Sequence, residues 1–171
     1  MSYDALRQGR HSRHYQIYCI TTITRDRRPV FTDFAAARLL VGELRRVHEQ
    51  GDAISLAWVI MPDHLHWLLQ LNKRWPLAKA VKTIKARSAI AINRHLRRQG
   101  SLWHRAFFDR AVRREEDIRQ VARYIVANPL RAGLVEGIGS YTHWDCIWMT
   151  GQNEGRWSNE FGQGQRETSV E

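Results

Sequence analysis

A chain of 171 residues, 43% of them apolar, is long enough for one domain with a core of its own and too short for two. Its 27 Lys and Arg against 17 Asp and Glu leave a net charge of +10, which points to a polyanion, nucleic acid above all, as its partner. Two cysteines, Cys19 and Cys146, are too few for a disulfide framework or a cysteine-rich zinc site, and no apolar run reaches the roughly 18 to 20 residues of a membrane span, so a soluble cytoplasmic protein is expected.

Residues 1–14 are polar and basic without a period and read as an arm. From Tyr15 the run YQIYCITTIT is rich in β-branched and aromatic residues and stops at RDRRP, a strand followed by a turn. Thr32 or Asp33 can cap a helix in which Phe34, Ala37, Leu40, Val41, Leu44 and Val47 recur at spacings of three and four, ending near Gly51. ISLAWVIM and HLHWLLQL then form a hairpin about Pro62 and Asp63, apolar enough to be buried on both faces. A second helix runs from Pro76 to about Arg98, with Leu77, Val81, Ile84, Ser88 and Ile92 on one face and Gly100 beyond its end. FFDRAVR alternates as a fourth strand, and EEDIRQVARYIVANP reads as a third helix stopped by Pro129. The order β-α-β-β-α-β with one more helix is the α+β, ferredoxin-like split βαβ pattern: an antiparallel sheet covered by helices, spanning residues 15–149. Residues 150–171, rich in Gly, Gln, Glu and Ser, read as a flexible tail.

The positive charge is concentrated. Between Lys73 and Arg98 lie nine basic residues, Lys79, Lys82, Lys85, Arg87 and Arg94 among them, and no acid. A merely solvated helix face mixes signs, because like charges at i,i+3 and i,i+4 repel, so this one is read as meeting phosphates. A second cluster interleaves Trp103, Phe107 and Phe108 with Arg105, Arg110 and Arg113, the combination that stacks unpaired bases and holds the backbone of a single strand. For the rings alone, filling core is an equally good account.

Chemistry needs more than charge. His64 and His66 flank Leu65 in a strand, so both imidazoles point to one sheet face, and two imidazoles without ligand or partner are costly in so apolar a strand. On the third helix Tyr124 and Asn128 are spaced i,i+4 and share a face. Tyr124 as a core aromatic and Asn128 as a helix-terminal residue is one reading; Asn128 as an oxygen ligand beside the two histidines, with the phenol close by, is the other.

MPDHLHWLL and the block SLWHRAFFDRAVRREEDIRQVARYIVANPLRAGLV together resemble the REP-associated tyrosine transposases, relatives of the single-tyrosine HUH transposases, and the resemblance runs from about Tyr15 to Trp148. It implies a ferredoxin-like nuclease with a divalent metal held by His64, His66 and Asn128, Tyr124 as nucleophile, and single-stranded DNA beside short palindromic REP hairpins as substrate. Imidazole ligands favour Zn or Mn on softness grounds, whereas the resemblance implies Mg or Mn. A monomer is expected. The rival from another class is a non-catalytic binder of single-stranded RNA or DNA, which accounts for the charge but leaves His64, His66 and Tyr124 without a role; a small-substrate metallohydrolase explains the histidines but not the basic helix. A covalent protein–DNA adduct separates the first reading from both rivals.

Overall fold

A computed structural model describes residues 15–113 and 117–148; the expected basic arm and tail lie outside the described residues. Strand β1 (Ile17–Ile23) leads through two short 3₁₀ turns into helix α1 (Phe34–Glu49), followed by the hairpin strands β2 (Ala53–Met61) and β3 (His64–Leu71) and by helix α2 (Leu77–His95). Edge strand β4 (Phe108–Ala111), helix α3 (Ile118–Val126), the single turn α4 (Asn128–Arg131) and strand β5 (Trp144–Cys146) complete the order. The sheet runs β4-β1-β3-β2-β5 with every pair antiparallel. Its first four strands have the expected split βαβ arrangement.

Period-two alternation divides the apolar residues between two faces. Tyr18 and Ile20 of β1, Trp58 and Ile60 of β2, and Leu65, Trp67, Leu69 and Leu71 of β3 meet Leu40, Leu44, Ala80, Ile84 and Ile92 of α1 and α2. Asp33 caps α1 by accepting from the Ala36 amide at 2.8 Å, satisfying a donor the helix leaves open. Ser88 sits on the buried face of α2 because the Trp103 indole donates to its hydroxyl at 3.0 Å, as the Trp67 indole does to Ser55. On the opposite face Leu56, Val59, Met61 and Leu68 meet Ala122, Ile125 and Val126 of α3, and Tyr141 ties the edge by donating to the Ile60 carbonyl at 2.7 Å.

Several expectations are corrected. Phe34 opens α1 but is 61% exposed, since it precedes the first turn that reaches the sheet. Pro76 caps α2 from an extended conformation rather than joining its first turn. Pro129 does not end α3: the helix stops at Val126, and Pro129 sits at the start of α4, where its missing N–H costs nothing. Strand β5 was not expected at all.

Candidate active site

The β1–β3 register pairs Thr21 with His66 and Ile23 with His64, and the β2–β3 register sets Val59 and Met61 on the other side of the same rows. His64 and His66 therefore share their face with Leu68, and this is the face that α3 covers. α2, with its string of cations, packs on the other one.

The two imidazoles meet edge to face with their Nε2 atoms 3.1 Å apart. Each ring is held from behind. His64 Nδ1 lies 2.5 Å from Asp63 Oδ1, and His66 Nδ1 lies 2.9 Å from Thr21 Oγ1. Asp63 is an acceptor, so His64 donates from Nδ1 and turns a lone pair at Nε2 toward its neighbour; His66 then donates from Nε2 and takes the Thr21 hydroxyl proton at Nδ1. Because a hydroxyl donates or accepts with equal ease, rotation of Thr21 lets His66 carry its proton at Nδ1, which leaves both Nε2 lone pairs available to a cation.

Burial, then the adjoining His64, pulls the His66 pKa down to about 4, with Asp63 opposing, so His66 is a neutral donor at neutral pH. Burial works to raise the Asp63 pKa, but the hydrogen bonds and charges of His64 and Arg27 outweigh it and hold the carboxylate below its ordinary value. Among the described residues no group of three or more His, Cys, Asp or Glu side chains is gathered around a possible metal position, so among them a third side-chain ligand would be of another type.

Asn128 offers one. Its Nδ2 donates to the Tyr124 and Ile125 carbonyls at 3.2 and 2.8 Å, closing the last turn of α3, and this fixes which end of the amide is nitrogen and leaves the oxygen outside these bonds. Tyr124 is 56% exposed, which removes the core reading, and its ring lies under the Arg131 guanidinium at 4.3 Å. The fold thus pairs His64 with His66 directly and sets Tyr124, on α3, one turn from Asn128, which opens α4, with no hydrogen bond or ring contact from either to an imidazole.

Residues 12–128 match the model of the family described as transposase IS200 like. The chain belongs to the IS200-like transposase family. This transposase is 25% identical, over 142 residues covering 74% of it and 77% of the relative, to a Haemophilus influenzae protein named as a REP-associated tyrosine transposase. Its fold matches a solved REP-associated tyrosine transposase bound to a REP hairpin, with a TM-score of 0.69 at 20% identity over 99% of this chain and 100% of that one. A protein of Deinococcus radiodurans R1 assigned as a transposase matches with a TM-score of 0.51 and 27% identity over 67% of this chain and 92% of the other.

The transposase distributes its expected DNA contacts unevenly. Lys82, Arg94, Arg105, Arg110 and Arg113 are exposed, and Lys79 is exposed with its ammonium 4.7 Å from the centre of the Trp75 ring. Arg87 is half-buried, with a buried Nη1 that finds no partner. Two expectations are corrected. Trp103 is 4% exposed and packed in the α1/α2 core, so it cannot stack on a base. Lys85 is half-buried and spends its three protons on the carbonyls of His104, Arg105 and Ala106 at 2.7, 3.2 and 3.2 Å, so it straps α2 to the loop before β4 instead of meeting phosphate. Burial draws its pKa down to about 8, while the three acceptors favour the charged form.

The sequence singled out neither Thr21 nor Asp63 as a site residue, and Phe108 only within the basic and aromatic cluster. Asp63 was legible as the residue before His64, but it was read only as a turn. Phe108 is 66% exposed and pairs with Thr21, which puts the ring in the same cross-sheet row as His66. No helix among the described residues is long and apolar enough to cross a membrane.

Proposed function

We propose that this transposase cuts and rejoins single-stranded DNA beside REP-like hairpins, using Tyr124 as nucleophile and a divalent cation, Mg or Mn, held by His64, His66 and Asn128. The observation that carries the reading is the facing pair of Nε2 atoms, each ring fixed from behind, beneath a helix that presents an exposed tyrosine. The hairpin substrate is carried over from the solved relative that holds one.

When bound, the cation supplies charge that polarises the scissile phosphodiester and stabilises the crowded phosphorus. The remaining work falls to the chain. Asp63 and Thr21 keep the two imidazoles oriented, the short α3–α4 junction sets Asn128 one turn from Tyr124, and the Arg131 guanidinium packs against the Tyr124 ring. Attack by the Tyr124 oxygen on phosphorus forms a 5′-phosphotyrosine and breaks the P–O3′ bond; the leaving 3′-oxygen takes a proton and the phenol gives one up. The phosphodiester is conserved in number, so a 3′-hydroxyl can reverse the step and rejoin a strand.

The test is to incubate the protein with Mn²⁺ and an oligonucleotide carrying a palindromic hairpin with a single-stranded flank, and to map any covalent adduct by mass spectrometry. An adduct on Tyr124, lost in Tyr124→Phe while DNA affinity persists, is expected. Cleavage by Tyr124→Phe at the parental rate would assign the attack to water, and the absence of any adduct with any divalent metal would favour the non-catalytic binder.

A further inference from the structure

α2 lies across the sheet from His64 and His66, so its cations cannot flank the strand where it would be cut. The site needs positive charge on its own side or at its own end, and the turn after β1 supplies it. Ile23 pairs with His64, and the chain then runs directly into Arg25, Asp26, Arg27 and Arg28.

This turn is built firmly onto the β2–β3 hairpin. The Thr24 amide donates to the Asp63 carbonyl at 2.8 Å, the Thr24 hydroxyl lies 2.8 and 3.0 Å from the Arg28 and Asp63 carbonyls, and the Phe31 amide donates to the Pro62 carbonyl at 2.9 Å. Arg25 adds a bond from its amide to the Leu102 carbonyl at 2.8 Å. Asp26 and Arg27 both adopt left-handed backbone, with φ of 57° and 49°, which bends the chain sharply. Against three exposed guanidinium groups the turn sets Asp26, 3.8 Å from Arg25 and from Arg28, and such loose exposed pairs hold an arginine weakly. Arg27 donates to Asp63 Oδ2 at 3.1 Å, and the other oxygen of that carboxylate takes His64.

Resting on the function proposed above, we propose that Arg25, Arg27 and Arg28 form a phosphate-gripping edge of the cleavage site, holding the single-stranded DNA backbone that flanks the cut. A guanidinium fork matches a phosphate's paired oxygens, and Arg27 reaches the strand while remaining one carboxylate away from a metal-holding ring. The contacts are to backbone, so they are indifferent to sequence.

Fluorescent oligonucleotides test this on the full chain, one carrying a hairpin with a single-stranded flank and one carrying the flank alone. Arg25→Ala/Arg28→Ala spares the two left-handed residues and the Asp63 contact, so Mn²⁺ affinity of the DNA-free protein and the thermal midpoint are expected to match the parent. The slope of log K against log salt should flatten by about 1.4, two phosphates at ~0.7 each for single strands, on both probes. A parental slope in the double variant overturns the inference, as does a loss confined to the hairpin probe, which would place the turn on the stem. Failure of the parent to bind either probe at low salt would instead bring down the proposed function.

Discussion

On the α1/α2 side of β3 stand Leu65, Trp67, Leu69 and Leu71, none more than 1% exposed; on the α3 side stand His64, His66, Leu68 and Gln70, of which Leu68 alone is sealed. One strand therefore serves as core on one face and as site on the other. The closed face is held by two helices of 16 and 19 residues, the open one by α3 with nine. Rigidity comes from the closed side, which leaves the open side free to carry polar groups that a core could not bury. Two imidazoles are acceptable there because each nitrogen they turn inward already has a partner.

The largest effect that would test this contrast is on stability. Trp67→Ala should cost about 3–5 kcal/mol, removing both packed volume and the indole bond to Ser55, whereas His66→Ala should cost far less; urea titrations of the two variants compare the faces directly. Equal losses would mean that the open face is as much a part of the core as the closed one.

Acidification acts on the open face through His66. His66 titrates near 4 in the folded protein and near 6.5 when unfolded, so the unfolded chain binds the extra proton first. Its contribution is fully present above pH 6.5 and is lost as pH falls toward 4, up to about 3 kcal/mol for a shift of this size. Thermal melts of the metal-free protein should show that decline, and His66→Gln should flatten it. A smaller effect is expected from Asp63→Asn, which keeps the shape of the turn but weakens the acceptor behind His64. Mn²⁺ affinity measured by calorimetry should fall about 10- to 100-fold, with the fold intact. An unchanged affinity would leave Asp63 as a turn residue only.

Much of this architecture was legible in the chain. Alternation in HLHWLLQL located β3 to the residue and put both histidines on one face, and the spacing of Leu77, Val81, Ile84, Ser88 and Ile92 named the buried side of α2. What local pattern could not reveal was which side of the sheet each helix would cover, because that depends on how the crossovers wrap. The basic helix, read from the sequence only as a face that meets phosphates, lies behind the two histidines. Trp103 misled for a related reason: its arginine-rich neighbours suggested a surface, while its own partner, Ser88, is 15 residues away in sequence. Lys85 looked like any other lysine of α2 until the loop before β4 came within its reach, and β5, three residues long, is below the length at which alternation can be recognised.

The two-residue turn at Pro62 and Asp63 also limits how this chain can change in length. Adding or removing one residue there and sliding β3 by one position would reverse its faces, aiming both imidazoles into the α1/α2 core and pushing Trp67 out under α3. Pro62 is free to drift so long as the count is kept, whereas Asp63 is held by its bond to His64. Relatives that work in the same way should therefore tolerate insertions before β4 or after α4 while holding the distance between Met61 and His64 constant, and a single-residue insertion at this hairpin should be more damaging than a longer one elsewhere.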